Sequence, residues 1–187
     1  MTEDGLVSLQ IENVVASSAL NQELDLEQLA DDLSNATYNP DNSPAVIYRA
    51  PESTSTILLF RSGKLVSTGA DSLAAANHDF AHLFTLLTDL GIQVPDDPFI
   101  TTQNIVSVAD LGYSLNLNAL AIGLGLEQVE YEPEQFPGLI YRLDDPSVVI
   151  LLFGSGKLVI TGAATRQEAE AGVDQVRTRL ADLGMSN

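Results

Sequence analysis

Cysteine is missing from all 187 residues, so the chain has neither a disulfide framework nor a thiolate metal site. No apolar stretch reaches the roughly eighteen residues that a membrane-spanning helix needs. The opening MTEDGLVSLQ is acidic where a secretory signal would be basic and then apolar, so no targeting segment is expected there. Positive charge is scarce. Eight Lys and Arg face twenty-six Asp and Glu, for a net charge of −18, a balance that repels nucleic acid and anionic membranes at ordinary salt. Dense surface carboxylates keep a protein hydrated, and they suit a cytoplasm of very high ionic strength where screening shrinks to a few ångströms. With 45% hydrophobic and 18% charged residues the composition is globular. A soluble cytoplasmic protein from a salt-rich cell is expected.

What the chain does have is a copy of itself. LLFRSGKLVSTGA at Leu58–Ala70 returns as LLFGSGKLVITGA at Leu151–Ala163, with eleven of thirteen positions identical and an offset of 93 residues. Ile47-Tyr48-Arg49 recurs at the same offset as Ile140-Tyr141-Arg142, and Tyr38-Asn39-Pro40 as Tyr131-Glu132-Pro133. Asn13-Val14-Val15 answers to Asn104-Ile105-Val106, now 91 apart. Two units are too few for a solenoid. They suggest a single, intimately joined domain with internal pseudo-two-fold symmetry, its repeats covering residues 1–94 and 95–187.

Each repeat reads alike. A strand over about Leu6–Ala16, or Ile100–Ala109, leads to a short helix capped by Asp25 or Asn116. Strands follow near 45–50, 55–61 and 64–70, and near 138–143, 147–153 and 157–163, with Ser-Gly-Lys as the last tight turn. A longer amphipathic helix closes each repeat, over roughly Ser72–Leu90 and Arg166–Leu183. The predicted class is α+β, with helices packed on one face of an antiparallel sheet. Alternation sets Leu58 and Phe60 against Leu59 on one strand, and Val66 and Thr68 against Leu65 and Ser67 on its partner. Strands apolar on both faces normally lie in sheets covered on both sides. Here the helices suffice for one side, and an open apolar face marks a binding surface.

Enzymatic chemistry finds no support. GSGK lacks both the glycine five residues before its Gly-Lys pair and the following Ser or Thr of a phosphate loop; Leu151 and Leu158 stand there. His78 and His82 have a metal-compatible spacing but no third ligand is signalled. Asp96-Asp97 and Asp144-Asp145 read as solvated turns. No nucleophile, acid–base pair or cofactor pocket is expected.

At this point the sequence resembles the TATA-box-binding protein family, its archaeal members above all, from about Ile11 to Leu183. The stretch YEPEQFPGLIYRLDDPSVVILLFGSGKLVITGA, Tyr131–Ala163, carries most of the likeness, with QNIVS at Gln103–Ser107 and YNP at Tyr38–Pro40. The resemblance implies a saddle: one curved antiparallel sheet of about ten strands, four helices on its convex face, and DNA in the minor-groove mode beneath. It implies that Phe136 and Phe153 are wedges entering one base step and that Phe60 is one wedge of a second pair. The partner of Phe60 falls on Ser43, where DNSPAVI departs from the family pattern. It further implies that Asn13 and Asn104, with Thr68 and Thr161 beside them, reach minor-groove acceptors. Val15, Val106, Val66, Val159, Leu58 and Leu151 form the apolar floor. Arg49, Arg142, Lys64 and Lys157 contact phosphates, with Arg61 as an added cation.

By the same resemblance the protein is a general transcription initiation factor that binds A·T-rich promoter DNA and kinks it. It recruits transcription factor B, docked on Glu132, Glu134 and Gln135, and through it RNA polymerase. No cofactor and no membrane is implied, and a homodimer of the free protein stays open. Many acids near the interface should let binding survive or strengthen in molar KCl, against the usual loss of affinity with salt. Ser43 and the net charge also motivate an alternative, a saddle-fold protein-interaction module with weakened or lost DNA binding.

Overall fold

The computed structural model describes residues 7–186. Its architecture is α+β, with ten strands and four helices. The first repeat comprises β1 (Leu9–Ala19), α1 (Leu26–Asp32), β2 (Ala36–Thr37), β3 (Ala45–Arg49), β4 (Thr56–Phe60), β5 (Lys64–Ala70) and α2 (Leu73–Asp89). The second comprises β6 (Thr101–Asp110), α3 (Leu117–Leu124), β7 (Val129–Glu130), β8 (Leu139–Arg142), β9 (Val149–Leu152), β10 (Lys157–Ala163) and α4 (Arg166–Asp182). Strands lie in the order β2-β3-β4-β5-β1 in the first repeat and β6-β10-β9-β8-β7 in the second. The pairings within each repeat are antiparallel. Two compact units result: residues 12–103 form one, and those from 104 onward, with the strand start at 9–11, form the other.

The local causes are visible. Asp25 and Asn116 cap α1 and α3 as expected, each accepting a hydrogen bond from the backbone N–H three residues on. Ser72 caps α2, and Thr165 with Glu168 forms a capping box on α4. The last hairpin of each repeat keeps strict cross-strand register, Leu58 opposite Val66 and Leu151 opposite Val159. Alternation then sends Ile57, Leu59 and Leu65 in the first repeat, and Ile150, Leu152 and Leu158 in the second, to complete burial. In the first repeat α2 contributes Ala76, Phe80, Leu83, Phe84 and Leu87 to the core, and in the second α4 contributes Ala169, Val173, Val176 and Leu180.

One expectation needs correction. The first strand runs on to Ala19 rather than ending near Ala16. Its last residues pair with Leu65 and Lys64 of β5, which holds them extended where local sequence offered no stop. Leu6, where that strand was expected to open, lies outside the described residues. The two-residue strands β2 and β7 carry no readable periodicity. They exist because Ala36 and Thr37 find Tyr48 and Ile47, and Val129 and Glu130 find Tyr141 and Ile140, across the sheet.

Candidate nucleic-acid interface

The faces away from the helices are uncovered. In the first repeat the partly exposed row comprises Asn13, Val15 and Ser17 of β1, Val66 and Thr68 of β5, and Leu58 and Phe60 of β4. In the second it comprises Asn104, Val106 and Val108 of β6, Val159 and Thr161 of β10, Val149 and Leu151 of β9, and Phe153 beyond it. Every residue expected on the apolar floor therefore lies on an open face, with none sealed beneath a helix. Arg49, Lys64, Arg142, Lys157 and Arg61 are all exposed.

Asparagine geometry comes from a bulge. Between Ile160 and Ala163 β10 advances three residues while β6 moves two, from Ser107 to Ile105, so one residue is extra. β5 does the same against Val14 and Ala16. The extra turn falls on Gly69 and Gly162, at φ of +92° and +90°, a conformation open to glycine and strained for other residues. Their freed N–H groups donate to Asn13 Oδ1 at 2.6 Å and Asn104 Oδ1 at 2.7 Å. Each carbonyl oxygen is thus spoken for, and each amide nitrogen must point the other way. Nδ2 lies 3.4 Å from Thr68 Oγ1 in the first repeat and 3.2 Å from Thr161 Oγ1 in the second. An amide with two N–H groups and one such contact keeps a donor free over the open face. Donors are the useful polarity in a minor groove, where A·T pairs present only acceptors. Asn, Thr and Gly form one device at both places. Neither glycine was singled out from sequence, although both belong to the duplicated TGA.

Phe136 and Phe153 meet edge to face, with ring centroids 5.9 Å apart and an interplanar angle of 70°. Phe136 sits in a loop whose turn is closed by Gln135 N–H and Phe136 N–H, both donating to the Glu132 carbonyl. Glu132, Glu134 and Gln135 are exposed on this loop. Gly138 makes room for the rings: a Cβ there would stand 2.8 Å from Phe136 Cε1 and 3.0 Å from Phe153 Cε1. At the matching place in the first repeat, Asn42 and Ser43 N–H donate to the Asn39 carbonyl in the same turn. Ser43 thus has the backbone of Phe136 without its ring, and among the described residues Phe60 has no aromatic partner.

Charge at these faces is uneven. Arg142 lies 3.6 Å from Glu130, a neighbour not singled out from sequence because it sits on unread β7. On α4, Arg166 pairs with Glu170 and Arg177 with Asp174.

The model of the family described as transcription factor TFIID, or TATA-binding protein, matches residues 8–90 and 99–183. The chain belongs to the TATA-binding protein family. A TATA-box-binding protein of Haloarcula marismortui is 59% identical over 95% of this chain and 96% of its own. TATA-box-binding protein F of Halobacterium salinarum is 60% identical over the same shares. Among solved structures, the TBP of Methanococcus jannaschii matches with a TM-score of 0.84 at 43% identity, covering 94% of this chain and 99% of that one. The two matched segments of the TATA-binding protein family coincide with the internal duplication, so each repeat is a family unit by itself. This is a family of transcription factors, and its related members include several from salt-loving archaea.

Proposed function

We propose that this protein is a general transcription initiation factor that binds A·T-rich promoter DNA through its open strand faces, entering the minor groove. One observation supports this most directly. Twice, an asparagine is locked by a bulge amide and a threonine so that one N–H is left free over an apolar floor. Such a surface excludes the guanine amino group sterically and donates to the acceptors that every A·T pair presents. On this reading Asn13, Thr68, Asn104 and Thr161 donate, and Val15, Leu58, Val66, Val106, Leu151 and Val159 form the floor. Phe60, Phe136 and Phe153 enter base steps, where unstacking costs a few kcal/mol that the wider contact of bent DNA offsets. Arg49, Lys64, Arg142 and Lys157 take phosphates. Glu132, Glu134 and Gln135 receive transcription factor B, which brings RNA polymerase. The free protein associating with itself through the same faces belongs to this reading as well, as does the division into repeats at 94/95.

A mobility-shift titration on A·T-rich and G·C-rich duplexes, at 0.1 M and at molar KCl, tests it. Preference for the A·T-rich duplex is expected, with binding retained or strengthened at high salt because the surrounding carboxylates are then screened. Equal weak binding to both duplexes would favour the protein-interaction module instead. A steep fall in affinity with salt would remove the charge argument.

A further inference from the structure

The two repeats have matching floors and matching asparagines but opposite equipment at their rims. In the second repeat two rings touch, and Gly138 leaves the space they occupy. In the first, Ser43 replaces one ring, and Ala45 stands 93 residues before Gly138, 1% exposed and directly opposite Phe60 across β3 and β4. The two changes belong together. The Ala45 methyl lies where the counterpart geometry would set a ring against Cβ at about van der Waals overlap, and Ser43 Oγ instead accepts from Ala45 N–H at 3.2 Å. The first repeat is thus closed against a second wedge by two residues.

Its cations differ in the reverse sense. Among the described residues Arg49, Arg61 and Lys64 form no ion pair, and the strand neighbours facing Arg49 and Lys64 are uncharged Thr56 and Ala19. In the second repeat Arg142 is held near Glu130, Lys157 stands directly across from Asp110, and Gly154 replaces Arg61.

We infer that the repeats grip DNA by different physics: the first mainly by phosphate charge with a single wedge, the second mainly by insertion of a ring pair. This rests on the DNA-binding reading above and adds to it a polarity. A protein so built seats its second repeat over the more easily unstacked step, because that end does most of the unstacking. It also concentrates the counterion-releasing contacts in the first repeat.

The absence of cysteine allows a single Ser62→Cys label carrying a DNA-cleaving probe, which marks where the first repeat sits on an A·T-rich duplex. With orientation known, 2-aminopurine is placed at either end of the site in separate duplexes. Strong brightening at the second-repeat end and little at the first are expected. Arg49→Ala with Lys64→Ala should change the slope of log affinity against log salt by nearly two, since each phosphate no longer neutralised accounts for about 0.9. Arg142→Ala with Lys157→Ala should change it by less than half as much. Ser43→Phe with Ala45→Gly should brighten the first end, and Ser43→Phe alone should do so much less. Equal brightening at both ends, or equal slope changes, would overturn the inference while leaving A·T-specific binding intact. Absence of A·T-specific binding by the unaltered protein would instead remove the reading beneath it.

Discussion

Beneath the sheets the two repeats disagree again, at one corresponding place. In the first, Asp79 of α2 is 4% exposed and accepts hydrogen bonds from the Ser53 and Ser55 hydroxyls. The Tyr48 hydroxyl is buried nearby with no hydrogen-bond partner among the described residues, and burial, then the charge of Asp79, holds its phenol above the usual range. In the second repeat those positions are Gly172, Pro146, Val148 and Tyr141. Gly172 packs so tightly that an added Cβ would lie 2.9 Å from Val148 Cγ2 and 3.3 Å from Ile150 Cδ1. One backbone plan thus accepts a hydrogen-bonded carboxylate or a close apolar contact, but only if the whole neighbourhood changes with it. A buried charge needs its donors, and an apolar corner needs its volume filled.

Mixing the two solutions should show how strict this is. Gly172→Asp places a carboxylate against Val148 with neither serine hydroxyl to receive it, and should lower stability by about 3–5 kcal/mol, read from urea melts in molar KCl. A loss below about 1 kcal/mol would mean the second corner is looser than its packing indicates. Asp79→Ala takes the carboxylate acceptor from the buried Ser55 hydroxyl, while Ser53 keeps its contact with Ser55, and should cost about 1–3 kcal/mol. Adding Ser55→Val should recover part of this, and failure to recover any would argue that Asp79 acts beyond this network. Asn13→Ala and Asn104→Ala test the feature that the repeats share. Each should weaken binding to an A·T-rich duplex by roughly five- to thirtyfold, about 1–2 kcal/mol, and also lower stability by about 1 kcal/mol because a bulge amide loses its acceptor. Unequal losses would carry the asymmetry of the rims into the centre of the site.

The smallest effect belongs to Tyr48. Its pKa is higher in the folded chain than the ordinary value near 10, so above that pH the unfolded chain has lost a proton the folded chain retains. Stability contributed by the neutral phenol is therefore whole below about pH 10 and declines as pH rises further. Tyr48→Phe removes the orphan hydroxyl and should raise neutral-pH stability by about 1 kcal/mol or less. It should also flatten the decline in melting temperature between neutral pH and about pH 11, and an unaltered alkaline profile would contradict the assignment.

Local sequence was informative wherever short-range rules govern. Asp25 and Asn116 announced their helices because a cap acts within three residues. Leu58 with Phe60, and Val66 with Thr68, announced themselves as same-side pairs because strand alternation is rigid, and the register of Leu58 opposite Val66 then joined them. Asp79 gave no such signal: in a helix of an acidic protein one more carboxylate reads as surface, and the hydroxyls that receive it belong to Ser53 and Ser55, more than twenty residues earlier. Gly138 was equally silent, since its importance lies in two rings that other elements bring to it.

The sequence by itself determined the duplication, the class of fold, the helix caps and which residues of each strand share a side, because periodicity and capping are properties of adjacent residues. Only the tertiary structure decided that bulge amides hold Asn13 and Asn104, that Gly138 leaves room for the Phe136 and Phe153 rings, and that Arg142 stands beside Glu130. Those depend on which distant groups meet, and the distance between side chains on different strands is settled by sheet register.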